Sequence, residues 1–135
     1  MAGSRLWRTV LTKRIDGIVD ELSRNRTHVV MVTVAPKSQG EVAGVTVRPS
    51  ARDDASYARL NDLLLQYASR HSEQVTLIDL AGHVCPGGPP CPRTLDGIAP
   101  RALDGAHFTP EGSIWVLEWL LPEIRRVEKT TRGPA

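Results

Sequence analysis

The sequence is poor in aromatic residues and in long apolar runs, and each shortage excludes a class of protein. Aromatic residues make up 4% of the 135 residues, so leucine, valine, isoleucine and alanine must supply most of the core. No run approaches the ~18 to 20 apolar residues of a membrane-spanning helix. The N-terminus has no short apolar segment followed by a small-residue cleavage site. We therefore expect neither a membrane span nor a secretion signal, and a chain that is soluble by itself.

The charge is also too evenly spread to indicate a nucleic-acid-binding protein. The formal net charge is +2, and the one mild basic cluster comprises Arg125, Arg126, Lys129 and Arg132. No basic stripe is interleaved with aromatic residues, so this cluster is interpreted as a solvated helix end. With 41% hydrophobic and 24% charged residues, the composition is that of one globular domain or a large piece of one.

A predicted helix and two predicted strands organise the first eighty residues. Apolar residues recur at spacings of three and four over 5–24, which marks one face of an amphipathic helix. Residues 28–34 and 74–80 are nearly continuous in β-branched and apolar side chains, as in parallel strands that are buried on both faces. The segment 35–52 is predicted to be a long irregular loop with one minor extended piece, in which three valines alternate: Val42, Val45 and Val47.

Two further helices follow from capping and periodicity. Asp53 or Asp54 is the expected N-cap of the second helix, whose core stripe would be Tyr57, Leu60, Leu63, Leu64, Tyr67 and Ala68. Thr109 is expected to cap the last helix, with Pro110 in its first turn. Its predicted inner face is Ile114, Leu117, Leu121 and Ile124. Pro122 predicts a kink or a restart within that helix.

These elements predict an α/β fold that is incomplete. Two parallel strands joined by a helix leave two unpaired sheet edges and little surface to cover. We therefore expect the missing strands upstream of Met1, with residues 1–128 as the C-terminal portion of a single domain and 129–135 as a disordered tail.

The sharpest chemical signal is a carboxylate that precedes a histidine by three residues, Asp104-Gly-Ala-His107. In a tight turn Asp104 can accept a hydrogen bond from one ring nitrogen of His107 and stabilise the imidazolium that forms when the other nitrogen takes a proton. That pair would be a general-base unit for a nucleophile. The alternative is a surface turn with a solvated histidine.

The surrounding block resembles the last motif of SGNH (GDSL-like) hydrolases. It reads Arg101-Ala-Leu-Asp-Gly-Ala-His-Phe-Thr-Pro-Glu-Gly-Ser-Ile-Trp-Val-Leu-Glu-Trp-Leu120 and is most similar to the SGNH domain fused to bacterial membrane acyltransferase-3 (O-antigen acetylase type) proteins. Further matching segments are 28–36, Arg59-Leu-Asn-Asp62, Leu77-Ile-Asp-Leu80 and the loop 84–91.

The resemblance implies a partial three-layer α/β/α fold of the flavodoxin-like SGNH kind, with parallel strands and helices on both faces. It also implies a serine esterase or O-acyltransferase without cofactor or metal, in which Asp104 and His107 are triad members. The substrate would be an acylated carbohydrate or a cell-envelope ester. The full-length form would be extracytoplasmic or membrane-associated, with an N-terminal membrane acyltransferase domain or a completing polypeptide as partner.

The sequence departs from the family where the nucleophile should be. Neither a Gly-Asp-Ser block nor a downstream Gly-x-Asn block occurs, and no serine lies in a Gly-x-Ser-x-Gly elbow. Because triad members act as a unit, we expect the chain alone to hydrolyse esters poorly or not at all. The alternative is a non-catalytic remnant, or an α/β module that binds a partner through its open sheet edge.

Two cysteines and two tryptophans complete the candidate residues. Cys85 and Cys91 bracket a Pro-Gly-Gly-Pro-Pro loop and are expected to form a disulfide; a zinc site with His83 is the less favoured alternative because the Cys-x5-Cys spacing is unusual. Trp115 and Trp119 are expected to pack on a domain or partner surface.

Overall fold

The computed structural model describes residues 4–131. Within that range, and in chain order, the elements are α1 (Arg5–Ser23), β1 (Val29–Val32), β2 (Gly40–Val42), β3 (Val45–Val47), α2 (Ala51–Arg70), β4 (Val75–Ile78), α3 (Leu80–Val84) and α4 (Pro110–Thr131). Helices combined with a small parallel sheet make this an α/β protein. None of the helices in this part of the chain is long and apolar enough to cross a membrane.

β1 and β4 form the two-stranded parallel sheet that the β-branched runs predict. Their register pairs Val29 with Val75 and Val32 with Ile78. Each strand has four residues rather than the seven predicted, although the ladder continues one step further, where the Thr33 amide donates to the Ile78 carbonyl at 3.0 Å.

The core lies on one face of this sheet, beneath α1 and α2. α1 packs on β1, α2 packs on β4, and the two helices contact each other. The buried cluster consists of Ile15, Val19, Val29, Leu63, Leu64, Tyr67, Ala68 and Val75. The predicted stripe of α2 is therefore confirmed, because four of its six residues are in this cluster and Leu60 packs against it.

The N-cap of α2 is Ser50, so the prediction of Asp53 or Asp54 was wrong. The Ser50 hydroxyl accepts a hydrogen bond from the Asp53 amide at 3.1 Å, and the helix begins three or four residues earlier than predicted. Both aspartates lie in the first turn, where their charges favour the positive end of the helix dipole. The helix ends at Arg70, with His71 as its C-cap.

The valines of the long loop form a hairpin rather than one extended piece. β2 and β3 pair antiparallel, and Ala43 and Gly44 connect them with positive φ angles of 50° and 78°. Two consecutive positive φ angles are typical of the tight two-residue turns that join such strands. Val42 and Val45, which face each other across the hairpin, are exposed.

α4 begins as predicted but presents a different face to the protein. The Thr109 hydroxyl accepts from the Gly112 amide at 2.9 Å, and Pro110 is the first helical residue. The buried residues are Gly112 and Val116, whereas three of the four residues predicted to face inward are exposed: Ile114, Leu117 and Leu121. The cause is Gly112, where a Cβ would collide with the Pro100 backbone, so that this side of the helix must face inward.

The C-terminal end of α4 is also longer than predicted. The helix continues through Pro122 as one element and ends at Thr131. Residues 129–131, which the sequence assigned to the tail, are therefore helical, and the remainder of that predicted tail, 132–135, lies outside the described residues.

Candidate active site

Asp104 and His107 meet in the turn that the sequence predicts. One carboxylate oxygen of Asp104 accepts from the amides of Ala106 at 2.9 Å and His107 at 3.0 Å. The other accepts a hydrogen bond from Nδ1 of the His107 ring. Gly105 supplies the positive φ of 70° that brings the chain back toward the carboxylate. The turn is thus a local consequence of the Asp-Gly-Ala-His order.

The electrostatics of this turn favour an ionised carboxylate. The hydrogen bond from the His107 ring, helped by the two backbone amides, holds the pKa of Asp104 well below its usual range. With Nδ1 bound to the carboxylate, the ring presents Nε2 as its free nitrogen. The His107 side chain is 84% exposed, and no group among residues 4–131 hydrogen bonds to Nε2. The ring is therefore accessible to an incoming hydroxyl group.

Backbone hydrogen bonds attach this turn to the chain that leaves the carboxyl end of β1. The Ser38 amide donates to Gly105 at 2.9 Å, and the Glu41 amide donates to Leu103 at 2.5 Å. A Cβ on Gly105 would collide with the Ser38 carbonyl, so the close approach requires glycine there. His107 is consequently held near the end of the parallel sheet at which α/β proteins place their ligands.

Arg101 holds the same two segments together through its side chain, and the sequence did not single it out. Its guanidinium donates to the Ala106 carbonyl within the turn, and to the carbonyls of Ala35 at 3.4 Å and Pro36 at 3.2 Å in the chain after β1. It also lies 3.9 Å from the centre of the Phe108 ring. Burial is the main reason that the pKa of Arg101 is lowered. Its position three residues before Asp104 was the available signal, but the carbonyls of Ala35 and Pro36 that it contacts lie 66 and 65 residues away in the sequence.

The loop that carries the two cysteines contacts the chain after β1 to which the His107 turn is attached. Cys85 and Cys91 form a disulfide with a Cα–Cα distance of 4.7 Å, and both residues are buried. Cys91 also forms a parallel β-bridge with Ser38, whose amide contacts the His107 turn. Because both sulfur atoms are in a covalent bond, neither is a thiolate available to the zinc site considered from the sequence. Nor does any group of three or more metal-ligating side chains occur among residues 4–131.

His83 lies between two indole rings. Trp115 and Trp119 stack on the His83 ring at centroid distances of 4.1 and 4.2 Å, so both pack on their own domain, which is one of the two kinds of surface expected from the sequence. Trp115 also donates from its indole nitrogen to Asp96 at 3.0 Å. Burial lowers the pKa of His83, which favours its neutral form in this stack.

Asp79, at the end of β4, has a structural role. Its carboxylate accepts from the Thr33 hydroxyl at 2.9 Å and from the Gly82 amide at 3.0 Å, so it is the N-cap of α3 and links β1 to that helix. This is the capping role expected of a carboxylate at a strand end.

No serine within residues 4–131 has its hydroxyl hydrogen bonded to His107. Ser4 and Ser50 cap helices, and Ser38 is buried, with its hydroxyl donating a hydrogen bond to the Gln39 carbonyl. The described site therefore contains a hydrogen-bonded carboxylate–histidine pair but no serine hydroxyl aligned with it.

In comparisons with known proteins, no family profile, no curated protein and no solved structure matches this chain. The resemblance to SGNH hydrolases stays a hypothesis that rests on the short motifs of this sequence.

Proposed function

We propose that this chain carries the general-base unit of an SGNH-type serine esterase or O-acyltransferase. The observation that carries the proposal is the hydrogen bond from His107 Nδ1 to the Asp104 carboxylate, in a turn attached to the chain after β1. In this proposal the two described strands belong to a larger three-layer α/β/α sheet of the flavodoxin-like kind. The serine then comes from a segment other than residues 1–135 or from a second polypeptide.

The chemistry follows from the free ring nitrogen. As the serine oxygen attacks the acyl carbon, His107 Nε2 takes the hydroxyl proton, and Asp104 stabilises the resulting imidazolium. The same proton then passes to the departing alcohol oxygen, which leaves an acyl-serine. Water completes hydrolysis, whereas a sugar hydroxyl completes transfer. Arg101 keeps the turn in place through its three carbonyl contacts.

The substrate class and the surroundings are part of the same proposal. An acylated carbohydrate or another cell-envelope ester is the expected substrate, and a membrane acyltransferase domain is the expected neighbour. The disulfide supports an oxidising, extracytoplasmic compartment, because reducing compartments seldom retain such bonds.

Ester turnover tests the role of His107. The protein, extended by the reading frame upstream of Met1, is assayed with p-nitrophenyl acetate alongside His107→Ala and Asp104→Asn. By analogy with serine proteases, we expect kcat to fall by about 10⁶ for the first and about 10⁴ for the second. His71→Ala, which changes a histidine outside the site, should retain the parent rate. Equal rates for His107→Ala and the parent would remove His107 from the mechanism.

A non-catalytic α/β module is the second candidate, and it is favoured by the outer edge of β1, which pairs with no strand among residues 4–131. A stop codon just upstream of Met1, together with no esterase activity, would support this candidate. An in-frame Gly-Asp-Ser block upstream would support the enzyme.

A further inference from the structure

Three stretches of chain lie side by side where the His107 turn is attached. Cys91 forms a parallel β-bridge with Ser38, and the Ser38 amide donates to the Gly105 carbonyl at 2.9 Å. Ser38 and Cys91 are 3% and 4% exposed, and Gly105 is buried as well. Because Ser38 is the middle member of this stack, a bond that fixes Cys91 also limits the movement of Ser38 and of the turn that Ser38 contacts.

The disulfide joins Cys91 to the parallel sheet. Cys85 is the C-cap of α3, and the N-cap of that helix, Asp79, accepts a hydrogen bond from the Thr33 hydroxyl at the end of β1. Between the two cysteines, residues 86–90 are exposed and belong to neither a helix nor a strand. Without the disulfide, Cys91 would be joined to α3 only through this irregular loop, which allows the ends of the loop to move apart.

We propose that oxidation of Cys85 and Cys91 assembles the site, so that the dithiol form of the chain folds with the His107 turn detached from Ser38. The redox state then controls whether the carboxylate–histidine pair is held at the carboxyl end of the sheet. That regulatory meaning rests on the proposed function, whereas the coupling between the disulfide and the turn does not.

The oxidant belongs to the class of thiol–disulfide oxidoreductases. The thiolate of one cysteine attacks the disulfide of the partner and forms a mixed disulfide with it; the thiolate of the other cysteine then attacks the first cysteine's sulfur, and the partner leaves as a dithiol. Two hydrogen atoms pass overall from the cysteines to the partner. The partner must act before the loop has closed, because both cysteines are buried afterwards. A chain that has not met an oxidising compartment therefore lacks the assembled site.

Arg101 holds the beginning of the same segment by a separate route. Its guanidinium donates to the carbonyls of Ala35 and Pro36, and neither contact involves the disulfide. The two ties can therefore be separated by experiment. The reduced chain should keep Arg101 in place and lose the contact between Ser38 and Gly105.

Nuclear Overhauser contacts in the oxidised and the reduced chain test the coupling. One α-hydrogen of Gly105 points at the Ser38 carbonyl and lies beside the Gly40 amide, since a Cβ in its place would be 3.1 Å from the Gly40 nitrogen. The contact between Gly105 and Gly40 should be present in the oxidised chain. It should be absent after reduction with dithiothreitol, which becomes a cyclic disulfide. Contacts between the paired residues Val30 and Thr76 of β1 and β4 should be present in both states.

Hydrogen exchange gives the magnitude of the effect. The Ser38 amide reports on the turn, and the Thr33 amide, which donates to β4, reports on the sheet. The ratio of the Ser38 rate to the Thr33 rate therefore separates opening of the turn from unfolding of the domain. Reduction should raise this ratio by at least about tenfold. The double variant Cys85→Ser, Cys91→Ser is the matched control for the reagent, because its ratio should be high with and without dithiothreitol.

Two results would overturn the proposal. If reduction changes neither the contact between Gly105 and Gly40 nor the exchange ratio, Arg101 holds the turn without help from the disulfide. If the contacts between Val30 and Thr76 disappear together with those of the turn, the disulfide stabilises the whole domain and does not act on the site. Ester turnover does not enter either measurement, so a chain without esterase activity would remove the proposed function and leave the coupling in place.

Discussion

Replacing Arg101 with methionine should loosen the His107 turn, because one guanidinium joins this turn to the chain after β1. Methionine keeps much of the aliphatic packing against Phe108 and removes the donors. The carbonyls of Ala35 and Pro36 then lose their side-chain partner. We expect the change to act on the stability of the site as well as on the free energy of unfolding.

The magnitude follows from the contacts. A hydrogen bond from a charged donor contributes about 1.5–3 kcal/mol, and a cation–π contact contributes about 0.5–2 kcal/mol. Two of the three hydrogen bonds are long, at 3.2 and 3.4 Å, and burial of the guanidinium offsets part of the gain. We therefore expect Arg101→Met to lower the free energy of unfolding by roughly 2–3 kcal/mol.

Urea unfolding measures the loss, with Arg93→Met as the control. Arg93 forms an exposed ion pair with Glu41 at 3.5 Å, and such pairs contribute about 0–1 kcal/mol. The Ser38 amide donates to the Gly105 carbonyl, so its hydrogen-exchange rate reports directly on the turn. This rate should rise in Arg101→Met and stay unchanged in Arg93→Met. If both variants lose the same free energy and Ser38 exchange is unchanged, Arg101 does not hold the turn.

Three further predictions concern the core and the covalent link. Burial, helped by Asp16, raises the pKa of Tyr67 to about 12. Because this is above the unfolded value of about 10, the stability from the neutral phenol is present below pH 10 and is lost as the pH rises to about 12; its size is on the order of 2–3 kcal/mol. A titration followed by the ultraviolet absorbance of tyrosine checks this. If Tyr67→Phe leaves every tyrosine ionisation step at high pH in place, the prediction is contradicted. Leu64→Ala should cost about 2–5 kcal/mol in urea unfolding, whereas the exposed neighbour Leu65→Ala should cost little. The double change of Cys85 and Cys91 to serine should cost about 2 kcal/mol, and an unchanged midpoint would refute a stabilising role for the disulfide.

Short-range sequence patterns were enough to locate most of the helices, the parallel strands and the turn that holds Asp104 and His107. The spacing of apolar residues located α1, α2 and α4, and the β-branched runs located the parallel pair β1 and β4. The turn containing Asp104 and His107 was equally predictable, since a short carboxylate can reach the amides and the ring of the three residues that follow it. For the helices and for this turn, the residues that set the local geometry lie within about one turn of chain, so their order in the sequence specifies that geometry.

The tertiary structure alone decided the rest. The sequence offers apolar residues around much of α4, and the contact of Gly112 with Pro100 selects which of them face inward. Arg101 became part of the site only because the fold brings it to Ala35 and Pro36, and Trp115 packs on His83 for the same reason. These contacts join residues that are distant in sequence, and their partners are chosen by how helices, strands and loops pack, which no local spacing records.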